Sequence, residues 1–484
     1  MNIAIVGGGI GGITAALYLT LDGHDVTIYE RKAQLGGRIS YAQAPGFKVD
    51  QGPTIVLLPQ MIKDILTEAG VASDVLDAVR CDPLYRIHYY DGTTFDKYSD
   101  TDQQLAEISR VFPGEEQHFR DYMKEMRIRY HQGKKAFLDK PFVRKSDFWT
   151  VGNLLSLIKL RAHWSVRNDA NVFFADPKLQ EAFSFQTLYI GGNPDQTPAL
   201  YSLIPFAEHE YGIWYVKGGY ASLIPKLESI LLERDARVYL NSDVTEIIVE
   251  DGECKGVVVN NKRRNYDRVI MNGDFPTTMP LLRRKFAKRP KRTYQPSSGC
   301  LLIYLGLNRC YEDAQVHQFF FSSNFEEMLK AVFKTRKIPE SPSIYVFNPS
   351  LIDDTLAEPG KSVLYLLVPV PAGKYISWEL EAEDFADLII DEVERRGFPG
   401  LRDAIEWREV RSPKQAMQDG LYQGGSFGIA PTLSQSGVFR PQVDPHGIRH
   451  LYAVGASIHP GGGVPIVMQG AKLLFAYMQE QGLR

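Results

Sequence analysis

The apolar positions of this chain fall into three rhythms. Residues 2–6, 26–29 and 268–272 are short, nearly continuous apolar runs, the pattern of strands buried on both faces. Helical spacing lies between and after them: Ile13, Ala16, Leu17 and Tyr18, then Leu57, Leu58, Met61, Ile62, Ile65 and Leu66, then residues 222–234 and 466–478. Residues 85–90 alternate, and Asp91-Gly92 behind them reads as a hairpin turn. Residues 236–240 predict a strand, and 241–248 lead into a second hairpin through Asp251-Gly252. From 101 to 183 the chain is mostly helix-compatible and rich in charge and aromatics. Residues 299–307, 318–321, 344–347 and 363–368 are strand-like and fit an antiparallel sheet flooring a substrate domain. Near the end, residues 451–455 form an apolar strand ending in glycine before a turn-rich loop and the last helix. Buried-strand patterns at the beginning, middle and end predict an α/β chain that leaves one parallel-sheet domain and returns to it twice.

The first strand carries the chemistry. It runs into Gly7-x-Gly9-x-x-Gly12 and then a helix start. Gly7 permits the tight turn, Gly9 allows backbone to approach a pyrophosphate, and Gly12 lets helix and strand pack closely. The free N–H groups and positive dipole of the helix start, around Ile10 and Gly11, face the anion. The second strand ends in Glu30-Arg31, eighteen residues beyond Gly12. That carboxylate is placed to accept from ribose hydroxyls and would repel a 2′-phosphate. Leu35-Gly36-Gly37-Arg38 suits a second loop closing over the pyrophosphate, its guanidinium neutralising charge that the dipole leaves uncovered. At the C-terminal end, Gly455, Ala456, Pro465, Ile466 and Val467 lie where a strand passes through Gly- and Pro-rich backbone into a helix. This suits close approach to a flat ligand. His459 in that loop reads as a residue fixing the loop by hydrogen bonding rather than as a base.

With Glu30-Arg31, Leu35-Gly36-Gly37-Arg38 and Asp50-Gln51-Gly52-Pro53-Thr54 in order after the glycines, the chain resembles the FAD-binding domain shared by amine oxidases and carotenoid desaturases. The loop Leu451-Tyr452-x-Val454-Gly455-Ala456-Ser457-x-His459-Pro460-Gly461-Gly462-Gly463-Val464-Pro465 resembles the carotenoid desaturase and oxidase signature; amine oxidases generally place a glutamate-bearing loop there. The resemblance runs the full length. It implies a discontinuous Rossmann-type FAD-binding domain of residues 1–100, 211–275 and 421–484, a helical, membrane-facing part of the substrate domain at 101–210, and a substrate-domain sheet at 276–420. It further implies FAD contacts from Gly52, Pro53, Thr54 and Ile55 and from the backbone of Val244. Phe185, Tyr189 and Tyr201 would line a long apolar cavity. Trp214-Tyr215-Val216 and Pro296-Ser297-Ser298-Gly299 look more like the sister enzymes that oxidise carotenoid end groups to aldehydes.

Composition narrows the field. A chain of 484 residues, 44% hydrophobic and 23% charged, has room for two or three domains with large cores. Its net charge of −3 argues against an overall field built to hold nucleic acid. Cys81, Cys254, Cys300 and Cys310 are far apart with no CxxC, so neither a metal site nor a disulfide framework is indicated, and a reducing cytoplasm is expected. No run is apolar and long enough to span a bilayer. Residues 148–158, with Lys159, Arg161 and His163 behind them, carry two readings: an interfacial helix resting on a membrane, or a core helix of the substrate domain. Residues 283–292 hold seven basic side chains, suited to a solvated turn or to anionic lipid headgroups.

The expected activity is therefore FAD-dependent desaturation of a linear C30 or C40 carotenoid precursor of dehydrosqualene or phytoene type, with hydride passing from an allylic C–H to the flavin. The enzyme would attach peripherally to a membrane, and no protein group is assigned as acid or base. End-group oxidation to aldehydes, another flavin oxidase such as one for amines, and a flavin-free prenyl-binding escort protein are the alternatives. Intact Gly7, Gly9, Gly12, Glu30 and Arg38 speak against the last.

Overall fold

The computed structural model describes residues 1–143, 145–283 and 293–483. One layer is a five-stranded parallel sheet in the order Leu451–Ala453, Arg268–Met271, Asn2–Val6, Asp25–Tyr29, Arg237–Tyr239. Ile3 and Ile5 in its middle strand have no exposed surface, and burying each contributes roughly 1.5–3 kcal/mol. The first helix, Ile10–Leu21, and the last, Val464–Glu480, pack on this sheet and on each other, Tyr18 stacking on Phe475 at 5.2 Å. Strands from residues 2 to 453 thus share one sheet, which brings three distant loops to its carboxyl edge.

The second layer is a seven-stranded sheet in the order Ile405–Arg411, Gly299–Leu307, Ser362–Val370, Ile344–Phe347, His317–Phe320, Tyr85–His88, Thr94–Lys97. Two expectations change here. Residues 85–97, assigned by sequence to the cofactor unit, form the hairpin expected at Asp91-Gly92 but add it to this sheet, Gln318 pairing with Arg86 and Phe320 with His88. The junction is parallel, so the sheet is mixed rather than antiparallel. The cause is burial: Tyr85, Ile87 and Phe95 have no exposed surface and share a core with Phe319, Phe321 and Tyr345.

Residues 101–210 are mainly helical. A buried ion pair ties them together: Arg129 donates from Nη1 to both Asp169 oxygens at 3.0 Å, and Arg161 adds a third bond at 3.2 Å. Asp169 has no exposed surface, so Asp169→Ala strips the buried Arg129 guanidinium of both its Nη1 bonds and leaves it the half-exposed Glu125 carboxylate at 2.9 Å. A loss of about 3 kcal/mol is expected, read as an earlier urea midpoint with unchanged slope.

The core-helix reading of 148–158 is overturned. The helix Val151–Lys159 has no buried residue, and Trp149, Val151, Leu154, Leu155 and Ile158 are exposed, Val151 by 76%. The space beneath is already filled by Phe137, Phe142, Phe148 and Leu160, on which Leu157 rests half-buried, so the rest of the apolar stripe is left facing outward. Of the basic run, Arg283 pairs with Glu246 at 2.6 Å; residues 284–292 lie outside the described residues. No helix among the described residues is long and apolar enough to cross a membrane.

Candidate functional site

A single cavity of about 1020 Å³ joins the two layers. Its polar end lies at the carboxyl edge of the parallel sheet. Gly9 caps the first helix, and the backbone of Gly7, Gly9, Ile10 and Gly11 forms the floor. The next loop presses down on it, Gly36 N donating to Gly8 O at 2.8 Å. Gly36 and Gly37 both take positive φ, and a Cβ on Gly37 would lie 3.2 Å from Gly9 Cα, so this close approach needs glycine. Glu30 is 6% exposed. Its Oε2 accepts from Gly8 N at 2.7 Å and its Oε1 from Lys32 N at 2.8 Å. Two backbone donors thus fix the carboxylate at the cavity rim with lone pairs to spare for a diol.

Arg38 lies inside the cavity and donates from Nη1 to the Ser426 carbonyl. Enclosure by protein pulls its pKa below the ordinary value, and the Asp274 carboxylate acts against that. Asp274 in turn accepts from Tyr422 N at 2.8 Å and from the Ser457 hydroxyl, tying the 420s loop to the C-terminal loop. From there Gly455, Ala456, Pro465, Ile466 and Val467 reach the cavity, with the start of the last helix directed into it. Arg31 and Val244 complete this end. Gly12 lies behind it rather than on it: a Cβ there would fall 2.5 Å from Gly7 O and 2.7 Å from Asn272 Nδ2.

Beyond Gly52, Pro53, Thr54 and Ile55 the cavity turns apolar. Phe185, Tyr189 and Tyr201 all line it, with Leu203, Ile204 and Ala207 along one face of the helix Leu203–Tyr211. Phe185 packs edge-on to Phe319 at 4.8 Å, and Phe319 stacks on Tyr345 at 4.9 Å. Tyr201 bonds to Ser436 at 3.3 Å. Behind this wall sits a buried polar group: Tyr85 donates to Glu208 Oε2 at 2.8 Å, and Gln186 donates to the same oxygen at 3.3 Å. Burial raises the Glu208 pKa and lowers that of Lys97, which lies 3.4 Å over the Phe183 ring, to about 7.

His459 is 3% exposed and its Nε2 lies 3.0 Å from the Lys140 carbonyl, so it holds the loop as the sequence suggested. Burial lowers its pKa to about 4. Sequence reasoning missed Asn272, whose Nδ2 donates to Gly7 O at 2.9 Å and Gly9 O at 3.2 Å and so braces the glycine turn. An amide ending a buried strand just before Gly273-Asp274 was the available signal. Arg440 was also missed; it is buried on the cavity wall and donates to the Gln435 and Ile429 carbonyls at 3.3 and 3.5 Å and to that of Ala456.

Free helix-start N–H groups, a glycine cradle that any Cβ would crowd, a fixed carboxylate and a cavity arginine together suit the diphosphate and ribose of a dinucleotide. Residues 10–472 match the flavin containing amine oxidoreductase family, and the chain belongs to it: it is an oxidoreductase that uses a flavin. It is 49% identical over 474 residues to the 4,4'-diapolycopen-4-al dehydrogenase of Metabacillus indicus, covering 98% of this chain and 96% of that one. It is 33% identical over 499 residues to a 4,4'-diapophytoene desaturase of Staphylococcus haemolyticus, covering 99% of each. A zeta-carotene-forming phytoene desaturase of Myxococcus xanthus is also 33% identical, over 98% of this chain and 93% of its own. The same fold occurs in putrescine oxidase, at TM-score 0.68 and 15% identity, covering 100% of this chain and 99% of the other.

Proposed function

We propose that this protein is an FAD-dependent desaturase of linear carotenoid precursors of the dehydrosqualene or phytoene type. The observation that carries the reading is the single cavity in which a dinucleotide cradle opens directly into an aromatic-walled apolar pocket. The names of two relatives, each matched over nearly the whole chain, support the same substrate class. FAD, when bound, supplies a two-electron acceptor for hydride from carbon. The chain does the rest. Glu30 would hold the ribose, Arg38 and the start of the first helix would neutralise the diphosphate, and the aromatic wall would exclude water and lay the polyene beside the acceptor. Phe185, Phe319 and Tyr345 pack ring against ring along this wall, which keeps the apolar half dry.

A second reading is favoured by the 49% identical relative, whose name describes oxidation of an aldehyde end group. Anaerobic incubation with 4,4'-diapophytoene separates the two: flavin bleaching with new conjugated double bonds supports desaturation. Bleaching only with 4,4'-diapolycopen-4-al supports the second reading.

A water-insoluble substrate requires entry from a lipid phase, and the exposed face of Val151–Lys159 suits a bilayer surface. Replacing Leu154, Leu155 and Ile158 with glutamine is expected to lower binding to vesicles by about tenfold while detergent-solubilised turnover stays within about twofold. Equal sedimentation of both proteins with vesicles would dismiss the membrane face.

A further inference from the structure

Where the two halves of the cavity meet, three side chains form a hydrogen-bonded line. Thr54 Oγ1, on the Gly52-Pro53-Thr54 loop, lies 2.8 Å from the Tyr345 hydroxyl, which lies 2.7 Å from His317 Nδ1. Thr54 and Tyr345 line the cavity; His317 is 1% exposed and stands behind Tyr345, stacked on Phe347 at 5.0 Å. His317 Nε2 has no hydrogen-bond partner. A buried polar atom left without one costs about 1–3 kcal/mol, more than a residue serving only to fill space needs to incur. Burial lowers the His317 pKa to about 3, so the imidazole is neutral, and in the tautomer that carries its proton on Nε2 the Nδ1 lone pair faces the Tyr345 hydroxyl.

We infer that Tyr345 is the catalytic proton acceptor of the reaction and His317 the positioning residue that relays its proton. The inference rests on the reading that hydride leaves the substrate for the flavin. Removing hydride from an allylic carbon leaves a polyene cation, and the neighbouring C–H of a cation is a strong acid, so a weak base in a dry site suffices. The C–H bond breaks, its electron pair becomes the new π bond, and its proton passes to Tyr345 Oη as the original phenolic proton moves to His317 Nδ1. Charge balances: the flavin gains one negative charge and His317 one positive charge inside the same enclosed cavity. After product leaves, the proton passes back through Tyr345 and Thr54, the two members of the line that reach the cavity, to water entering the emptied space.

The test is the anaerobic half-reaction followed by flavin absorbance, with FAD affinity of the apoprotein measured alongside. Tyr345→Phe removes one oxygen and is expected to lower the limiting rate of flavin bleaching by about 100-fold. The substrate concentration at half-saturation and the FAD affinity should stay within about threefold. Deuterium at the proton-losing carbon should slow the variant more than the parent. His317→Gln should lower the same rate by about tenfold, and it reads the relay independently should the phenylalanine variant not fold. A limiting rate within threefold of the parent would overturn the assignment. So would weakened FAD binding with the rate intact at saturating FAD, which would make Tyr345 a brace for the 52–54 loop. If no polyene bleaches the parent protein, it is the proposed function that fails rather than the relay.

Discussion

Gly12→Val is expected to yield a folded protein that purifies colourless and cannot be reconstituted with FAD. A Cβ at this position falls 2.5 Å from Gly7 O and 2.7 Å from Asn272 Nδ2, inside contact distance of the groups that shape the pyrophosphate turn. Valine adds two methyls to that overlap, so the helix must retreat from the strand and its N–H groups leave the cradle. Affinity for FAD should fall by at least about 1000-fold, about 4 kcal/mol. Overpacking should also lower stability by about 1–3 kcal/mol. Gly152→Ala is the control, since nothing lies within 4 Å of a Cβ there; it should keep full flavin content and stability. Titration of apoprotein with FAD, followed by flavin fluorescence quenching, reads the first effect. A yellow Gly12→Val protein with parental affinity would place the cofactor elsewhere.

The second large effect lies at the other end of the cavity. Ile204 faces the apolar half from the helix Leu203–Tyr211, one turn from Ala207. Ile204→Trp should fill the channel across which a long polyene must lie. Turnover of 4,4'-diapophytoene should drop by at least about 1000-fold, while flavin content and reduction by dithionite stay as in the parent. The loss comes from geometry, because a polyene held short of the acceptor forfeits the near-attack alignment that supplies most of the rate. Ile204→Ala, which widens the same place, should lose less than about tenfold. Equal turnover in the tryptophan variant would mean that substrate takes another path.

How much of this was legible beforehand follows from the range of each interaction. The cofactor end is written in short stretches: Gly7 to Gly12, Glu30 and Leu35-Gly36-Gly37-Arg38 each impose a local backbone shape or a fixed charge, and those depend on neighbours a few residues away. The strand pattern at residues 2–6, 26–29 and 268–271 is equally local, since burial on both faces demands unbroken apolar runs. Tertiary structure alone decided where the 85–97 hairpin pairs, because an alternating strand shows which face is apolar but not which edge it joins. It also decided that residues 151–159 turn their apolar face outward. A helical stripe reads the same toward core or solvent until the volume beneath it is known to be full. Asn272 under the glycine turn and the line from Thr54 through Tyr345 to His317 join residues separated by up to 291 positions. The line from Thr54 to His317 arises from how the two layers meet, and no local pattern of residues encodes it.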